Sequence, residues 1–222
     1  MSKELYAAID TFLSDSLVGA DAVLDAVRKS CIDANLPPIA VVPTYGKFLN
    51  LIARAIGART ILEIGTLAGY STIWLARALP ADGRLVTLEA DPTHAVIARS
   101  NFLRAGLSNI IELREGPALA TLAQLAAAGS ETRFDLIFID ADKPNNAAYF
   151  NWALKLSHPG SLIIIDNVIR DDRILDSDST DPSIQSRRQL FTLLANEKRV
   201  SATALQSVDA KGHDGFAMAL VL

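Results

Sequence analysis

Short apolar runs alternate with longer amphipathic stretches from residue 59 onward. Thr60–Ile64, Arg84–Leu88, Ile110–Leu113, Phe134–Ile139 and Ser161–Ile165 are dominated by Ile, Leu, Val and Phe, and are too short for helices. Such runs predict buried strands. Between them, Gly69–Leu79, the segment from Asp91-Pro92 to Gly106, Pro117–Ala127 and Asn145–Leu156 suit helices. Asp91 is placed as an N-cap with Pro92 at the first helical position, and Gly106 as a C-terminal stop. Strict alternation of this kind predicts a parallel sheet with helices on both faces, an α/β fold.

Before residue 58, Leu5, Ile9, Phe12 and Leu13, then Val23, Leu24, Val27 and Ile32, recur at helical spacing and predict two helices within 4–35. Leu36-Pro37-Pro38 breaks the pattern, and an extended stretch through Pro43 leads to a helix from Thr44 to Ile56, closed by Gly57. The expected organisation is one domain over 1–222. Its residues 1–57 form a helical cap or dimer segment, and 58–222 form the core. After Ile165, residues 170–182 are polar and turn-rich, a loop suited to substrate selection. A helix to Asn196 follows, then strands near Val200–Gln206 and Gly215–Leu222 joined through His213-Asp214-Gly215. That makes a seven-stranded, mostly parallel sheet with an antiparallel last strand.

Half of the 222 residues are hydrophobic and 21% are charged, enough for a sizeable core and unlike a disordered chain. A formal charge of −4 argues against a nucleic-acid partner. Cys31 is the single cysteine, so no internal disulfide can form, and a buried inert thiol in a reducing cytoplasm is expected. The start Met1-Ser2-Lys3-Glu4-Leu5 lacks a signal-peptide pattern, and no apolar run approaches the ~20 residues that span a bilayer. A cytoplasmic protein without a membrane partner is the expectation.

Asp140-Ala141-Asp142-Lys143 and Asp166-Asn167 each follow an apolar strand. In open α/β sheets, ligands bind outside the carboxyl ends of the strands near a switch in strand order. Asp140, Asp166 and Asn167 would there offer only oxygen atoms, which favours Mg²⁺, with Mn²⁺ or Ca²⁺ as alternatives, over zinc. Asp and Asn also end strands and cap turns for structural reasons, but two such motifs on neighbouring strands favour a metal. Lys143 is a candidate base. Upstream, Gly65 and Gly69 of the Glu63–Ser71 segment follow a strand and open a helix. Their Gly-x-x-x-Gly spacing, with Leu67 and Ala68 between, is wrong for cradling a pyrophosphate. Glu63 suits a cationic ligand, and Glu89 is placed to hold a ribose diol. S-adenosylmethionine has the ribose and a sulfonium cation and has no phosphate. His94, His158 and His213 show no ligand spacing.

At these motifs, and at Pro43–Leu49, Arg114–Ala118 and Asp214-Gly215, the chain resembles the cation-dependent, S-adenosylmethionine-dependent O-methyltransferases of the catechol and caffeoyl-coenzyme A group. Val200–Gln206 and Lys211–Phe216 match the small bacterial branch. The resemblance implies a Rossmann-like class I methyltransferase fold and a homodimer. It places Asp140, Asp166 and Asn167 on the metal and Glu89 on the ribose hydroxyls. Val41, Gly65, Tyr70 and Ser71 would line the methionine end, Gly116 and Ala118 the adenine end, and Lys143 would be the catalytic lysine beside Asp140. The implied reaction methylates one hydroxyl of a vicinal aromatic diol of catechol, hydroxycinnamate or flavonoid type. Tyr45, where many relatives carry glutamine, and Val42, in place of a common serine, depart from the pattern near the methionine pocket. Two rivals are weaker: a nicotinamide-dependent dehydrogenase conflicts with the loop spacing, and a non-catalytic binding or dimerisation module has no need of the metal set and Lys143.

Overall fold

The computed structural model describes residues 3–129, 133–170 and 173–222. Its strands are β1 (Thr60–Ile64), β2 (Arg84–Glu89), β3 (Ile111–Glu115), β4 (Leu136–Ile139), β5 (Leu162–Asp166), β6 (Val200–Asp209) and β7 (Gly212–Val221). They form one seven-stranded sheet in the order β3-β2-β1-β4-β5-β7-β6. Pairing is parallel from β3 across to β5, and β7 runs antiparallel to both β5 and β6. The helices are α1 (Lys3–Leu13), α2 (Ala22–Asp33), α3 (Pro43–Ala55), α4 (Tyr70–Ala76), α5 (Pro92–Arg104), α6 (Ala118–Ala127), α7 (Asn146–Lys155) and α8 (Pro182–Asn196).

The continuous apolar runs occupy the centre. Every residue of β4 and β5 is buried, as expected for strands covered on both faces. One core layer joins Val27 of α2, Leu49 of α3 and Ile73 of α4 to Ile61 and Phe138. The other joins Leu122 of α6, Phe150 of α7 and Leu190 of α8 to Leu62 and Ile137. Helix α3 lies so close to α4 that a side chain at Gly46 would stand 2.3 Å from the Trp74 ring. Cys31 sits in the first layer, and burial pushes its thiol up, as expected for an inert group. Asp91 caps α5 by accepting the amides of Thr93 and His94, with Pro92 at the first helical position. No described helix is long and apolar enough to cross a membrane.

Three readings shift. The segment expected to be helical over Gly69–Leu79 is α4, Tyr70–Ala76, with Gly69 as a left-handed cap. The C-terminal hairpin does not bend at His213-Asp214-Gly215. Its ladder continues to Asp209↔Gly212, so Ala210 and Lys211 make the turn. Gly215 instead permits close packing, since a Cβ there would stand 2.4 Å from the Leu205 carbonyl oxygen and 2.5 Å from Ile169. The 170–182 segment holds a short 3₁₀ turn at Arg173–Leu175 and ends at Asp181, the N-cap of α8. Asp171 and Asp172 of that segment, like Met1 and Ser2, lie outside the described residues.

At the edge of the sheet away from the strand carboxyl ends, Asp135 latches β4 to β1. Its Oδ2 accepts the amides of Arg59 and Thr60, each at 2.8 Å, and the Thr60 hydroxyl at 2.9 Å. His158 Nε2 lies 2.9 Å from Oδ1. Asp135→Ala should cost roughly 2–4 kcal/mol, because it strips two amides and a hydroxyl of a charged acceptor. Urea unfolding measures this, and a change under about 0.5 kcal/mol would show that the latch does not matter.

Candidate active site

The strand order reverses between β1 and β4, and the Glu63–Ser71 and Asp140–Lys143 motifs emerge there, with Asp166-Asn167 one strand further on. Beyond β1, Gly65, Leu67 and Gly69 adopt φ of +101°, +51° and +86°. A Cβ on Gly65 would sit 2.3 Å from the Asp140 carbonyl oxygen, and one on Gly69 would sit 2.4 Å from the Phe102 ring. Glycine is therefore required for space as well as for backbone angle. Leu67 is held in its left-handed conformation from β2: Glu89 Oε2 accepts its amide at 2.7 Å and that of Thr66 at 3.2 Å. Oε1 of the same carboxylate accepts the Asp91 amide at 2.9 Å. Glu89 thus shapes the loop while facing the cavity it encloses.

Glu63 is fully buried in β1 on the face toward α4. Its carboxylate accepts the hydroxyls of Ser71 at 2.6 Å and Thr87 at 2.7 Å, and also that of Thr72. Burial pushes this carboxyl up to about 7, against the opposing pull of the three hydroxyls. Glu63 does not form the cavity surface; Ser71, which does, carries its influence there.

Ile139 of β4 pairs with Ile165 of β5, so Asp140 and Asp166 follow on neighbouring strands. Asp140 Oδ1 accepts the Lys143 ammonium at 2.7 Å. Asp142 of the same motif is committed elsewhere, accepting Asn145 at 2.6 Å and the Tyr149 hydroxyl. Burial, then the nearby charge of Asp140, pushes the Asp166 carboxyl up to about 7, with Lys143 pulling the other way. Asn167 takes φ +56°, and its carbonyl accepts Arg187 Nε at 2.8 Å. Asp214, inside β7, braces the chain that follows by accepting the Arg170 amide at 2.9 Å and the Ile169 amide at 3.3 Å.

The donor set fits a hard cation. It is oxygen-only, and the charge of Asp140 disfavours that of the buried Asp166, a repulsion that a cation would relieve. Among the described residues no group of three His, Cys, Asp or Glu could hold a metal, so a cation here would need a further ligand such as the Asn167 amide. Tyr45 stands against it: the phenol is raised well above its usual range by burial, then by Asp166 and Asp140. Its hydroxyl is buried without a partner in hydrogen-bonding geometry, although Asp166 is close enough to act on it. The ring is held by Phe48 and Phe216, with centroids 5.7 and 5.6 Å away.

These parts open on one cavity of about 980 Å³. Val41, Gly65, Tyr70, Ser71, Glu89, Ala118, Asp140, Lys143 and Asn167 line it. Glu63, Gly116 and Asp166 do not form its surface. Gly116, at φ +126°, instead makes the turn that presents Pro117 and Ala118. Arg187 also lines the cavity, and neither it nor Asp214's bracing role was assigned from sequence. An arginine in an amphipathic helix carries no local mark of which face it occupies.

A Rossmann-like sheet with a glycine-bounded loop after β1, an acid at the end of β2 and a cleft over the β1/β4 switch defines a cofactor-binding enzyme of the doubly wound α/β class. The chain belongs to the O-methyltransferase family, whose family model matches residues 14–218. It is 49% identical over 221 residues to a catechol O-methyltransferase of Niastella koreensis, covering 100% of both chains. The crystal structure of an O-methyltransferase from Bacillus cereus in complex with SAH superposes with a TM-score of 0.97 at 54% identity, covering 100% of both chains. The O-methyltransferase TomG from Streptomyces achromogenes, involved in tomaymycin synthesis and solved with SAM, superposes at 0.95 with 43% identity, covering 100% of this chain and 99% of that one.

The buried Glu63 carries a pH signature. Its proton is held to about pH 7 in the fold, whereas an unfolded glutamate loses it near 4.5. The stability contributed by the neutral carboxyl is complete below the lower value, declines as pH rises, and is lost above the higher one. The loss is on the order of 3 kcal/mol. Unfolding midpoints of the ligand-free protein from pH 5 to 8 should therefore fall more steeply for the wild type than for Glu63→Gln. Parallel curves would show that Glu63 stays ionised throughout.

Proposed function

We propose that this chain transfers the methyl group of S-adenosylmethionine to one hydroxyl of a vicinal aromatic diol, with a divalent cation, most simply Mg²⁺, held by Asp140, Asp166 and Asn167. One observation carries the reading. Asp140, Asn167 and the Lys143 amine open on the same cavity as the loop tied to Glu89, with Asp166 buried beside Asp140. That cavity has room for a cofactor and an acceptor together. The names of the relatives, a catechol enzyme and SAM- or SAH-bound structures, support the same assignment.

Glu89 holds the ribose hydroxyls through the lone pairs its three amide bonds leave free, and Gly116 and Ala118 flank the adenine. Val41, Gly65, Tyr70 and Ser71 enclose the methionine end, and a sulfonium bound there would draw Glu63, beneath Ser71, into its ionised form. The cation, when bound, supplies Lewis-acid charge that makes a coordinated hydroxyl more acidic. Lys143 lies on the Asp140 carboxylate; as the neutral amine, its own proton first given up to solvent, it would take the hydroxyl proton. The acceptor oxygen then forms a bond to the methyl carbon as the carbon–sulfur bond breaks. Its electron pair stays on sulfur as a neutral thioether. Fixing the two reactants in line supplies most of the acceleration.

Methyl transfer from labelled S-adenosylmethionine to a catechol panel should occur with Mg²⁺, cease in EDTA and return on adding metal back. Asp140→Ala and Asp166→Ala should each lower turnover by about a thousandfold or more. Calorimetry should show that both variants still bind S-adenosylmethionine. Full activity of either in EDTA would remove the metal from the mechanism.

The same reading includes a homodimer. Helix α1 buries none of its residues and exposes Leu5, Ile9 and Phe12, an apolar stripe suited to a second copy. Light scattering should give twice the chain mass, and Phe12→Asp should shift it toward the monomer. A wild-type monomer at micromolar concentration would dismiss the dimer.

A further inference from the structure

Packing alone asks for no hydroxyl at position 45. Tyr45 lies in the first turn of α3, and the next residue, Gly46, is pressed against Trp74, which fixes the helix there. Its ring is enclosed by Phe48, Phe216 and Phe138, with centroids 5.7, 5.6 and 6.4 Å away. A phenylalanine would fill that aromatic cluster as well. The hydroxyl is nevertheless buried, and among the described residues no group meets it in hydrogen-bonding geometry. A buried donor left without a partner is costly, so this one calls for an acceptor.

The sheet supplies one. Side chains along a strand alternate between its faces. Phe138 of β4, Ile164 of β5 and Phe216 of β7 belong to the core layer that faces α3. Asp140, Asp166 and Asp214 lie two residues along from these in turn, so they continue the same face. Phe216 is also the ladder partner of Asp166, which brings the clamp on the ring and that carboxylate to one rung. All three acids act on the Tyr45 hydroxyl. Asp140 already receives the Lys143 ammonium, and Asp214 receives the amides of Ile169, Arg170 and Gly215. Asp166 is the one of the three close enough to take a hydrogen bond from the phenol once the two align. Tyr45 itself does not line the cavity, so it meets neither reactant.

We infer that Tyr45 is a positioning residue for the cation: its hydroxyl donates to Asp166, fixes the orientation of that carboxylate and so raises the affinity of the site for the ion. The inference rests on the metal reading above and adds a residue to it. A carboxylate that ligates a metal keeps further lone pairs for a donor, and such a partner holds the ligand in the orientation the ion needs. A phenol does this as a neutral group. It adds no positive charge to repel the ion, unlike the Lys143 ammonium on Asp140.

The test uses Tyr45→Phe, which keeps the ring and removes only the hydroxyl. Protein loaded with S-adenosylhomocysteine is titrated with Mn²⁺, the free ion being counted by electron paramagnetic resonance, and Mg²⁺ is then used to displace it. The Kd for both ions should rise about tenfold or more in the variant. The Mg²⁺ concentration for half-maximal methyl transfer should rise with it, by more than kcat falls. Retained binding of S-adenosylhomocysteine in EDTA shows that the variant is folded. Thermal unfolding supplies a second reading. Without metal, the variant should melt at or above the wild-type temperature, since it loses an unpaired buried hydroxyl. A fixed Mn²⁺ concentration should then raise its Tm by less than it raises that of the wild type. If Tyr45 only fills space, both proteins will bind Mn²⁺ alike and gain the same rise in Tm, which overturns the inference and leaves the metal site standing. A wild type that takes up no Mn²⁺, or takes it up equally after Asp166→Ala, overturns the metal reading and this inference together.

Discussion

The close approach of two strand ends governs this site. Gly65 and Asp140 continue β1 and β4, which share a ladder, and the Asp140 amide donates to the Ile64 carbonyl at 2.8 Å. There is no room for a Cβ on Gly65 against the Asp140 carbonyl. The loop after β1 and the Asp140 carboxylate, the first of the proposed metal ligands, are therefore parts of one rigid corner. Methyl transfer needs donor and acceptor held in line at contact distance, and a shared backbone junction meets that need better than two independently moving loops. The reversal of strand order at the same place opens the cleft above the corner.

Charge in the cavity is layered. Deep beneath the loop, Glu63 is surrounded by three hydroxyls rather than by a cation. At the β4 and β5 ends, two acids share one lysine at 2.7 Å from Asp140. Each layer complements a different chemical end of the proposed reactants: a sulfonium, and a diol on a divalent cation. The layers come from separate elements, so the acceptor end can change while the methyl-donor end stays constant.

The parts legible in the sequence are those with local causes. Apolar runs with helical segments between them specified the sheet, and Asp91-Pro92 and Gly57 marked helix ends through backbone rules that operate over a few residues. Asp140 and Asp166 were recognisable because each directly follows a buried strand. What escaped depends on distant partners. Asp214-Gly215 carries the composition of a turn, yet Gly215 serves the crowding of Ile169 and Leu205. Glu63 was expected to face a ligand, whereas Thr72 and Thr87, from a helix and a neighbouring strand, enclose it. Arg187 likewise finds its partner, the Asn167 carbonyl, twenty residues away in another element, which no spacing along the chain expresses.

Glu89 binds the amides of Thr66 and Leu67 and so holds the loop in shape before any ligand arrives. A preformed pocket grips whatever adenosyl group enters it. On the proposed reading, the spent thioether differs from the donor only by one methyl and one charge, both at the far end from Glu89. The by-product is then retained nearly as well as the donor. In a cell, the pace of such an enzyme follows the ratio of the two, and hence the metabolic machinery that clears one and replenishes the other.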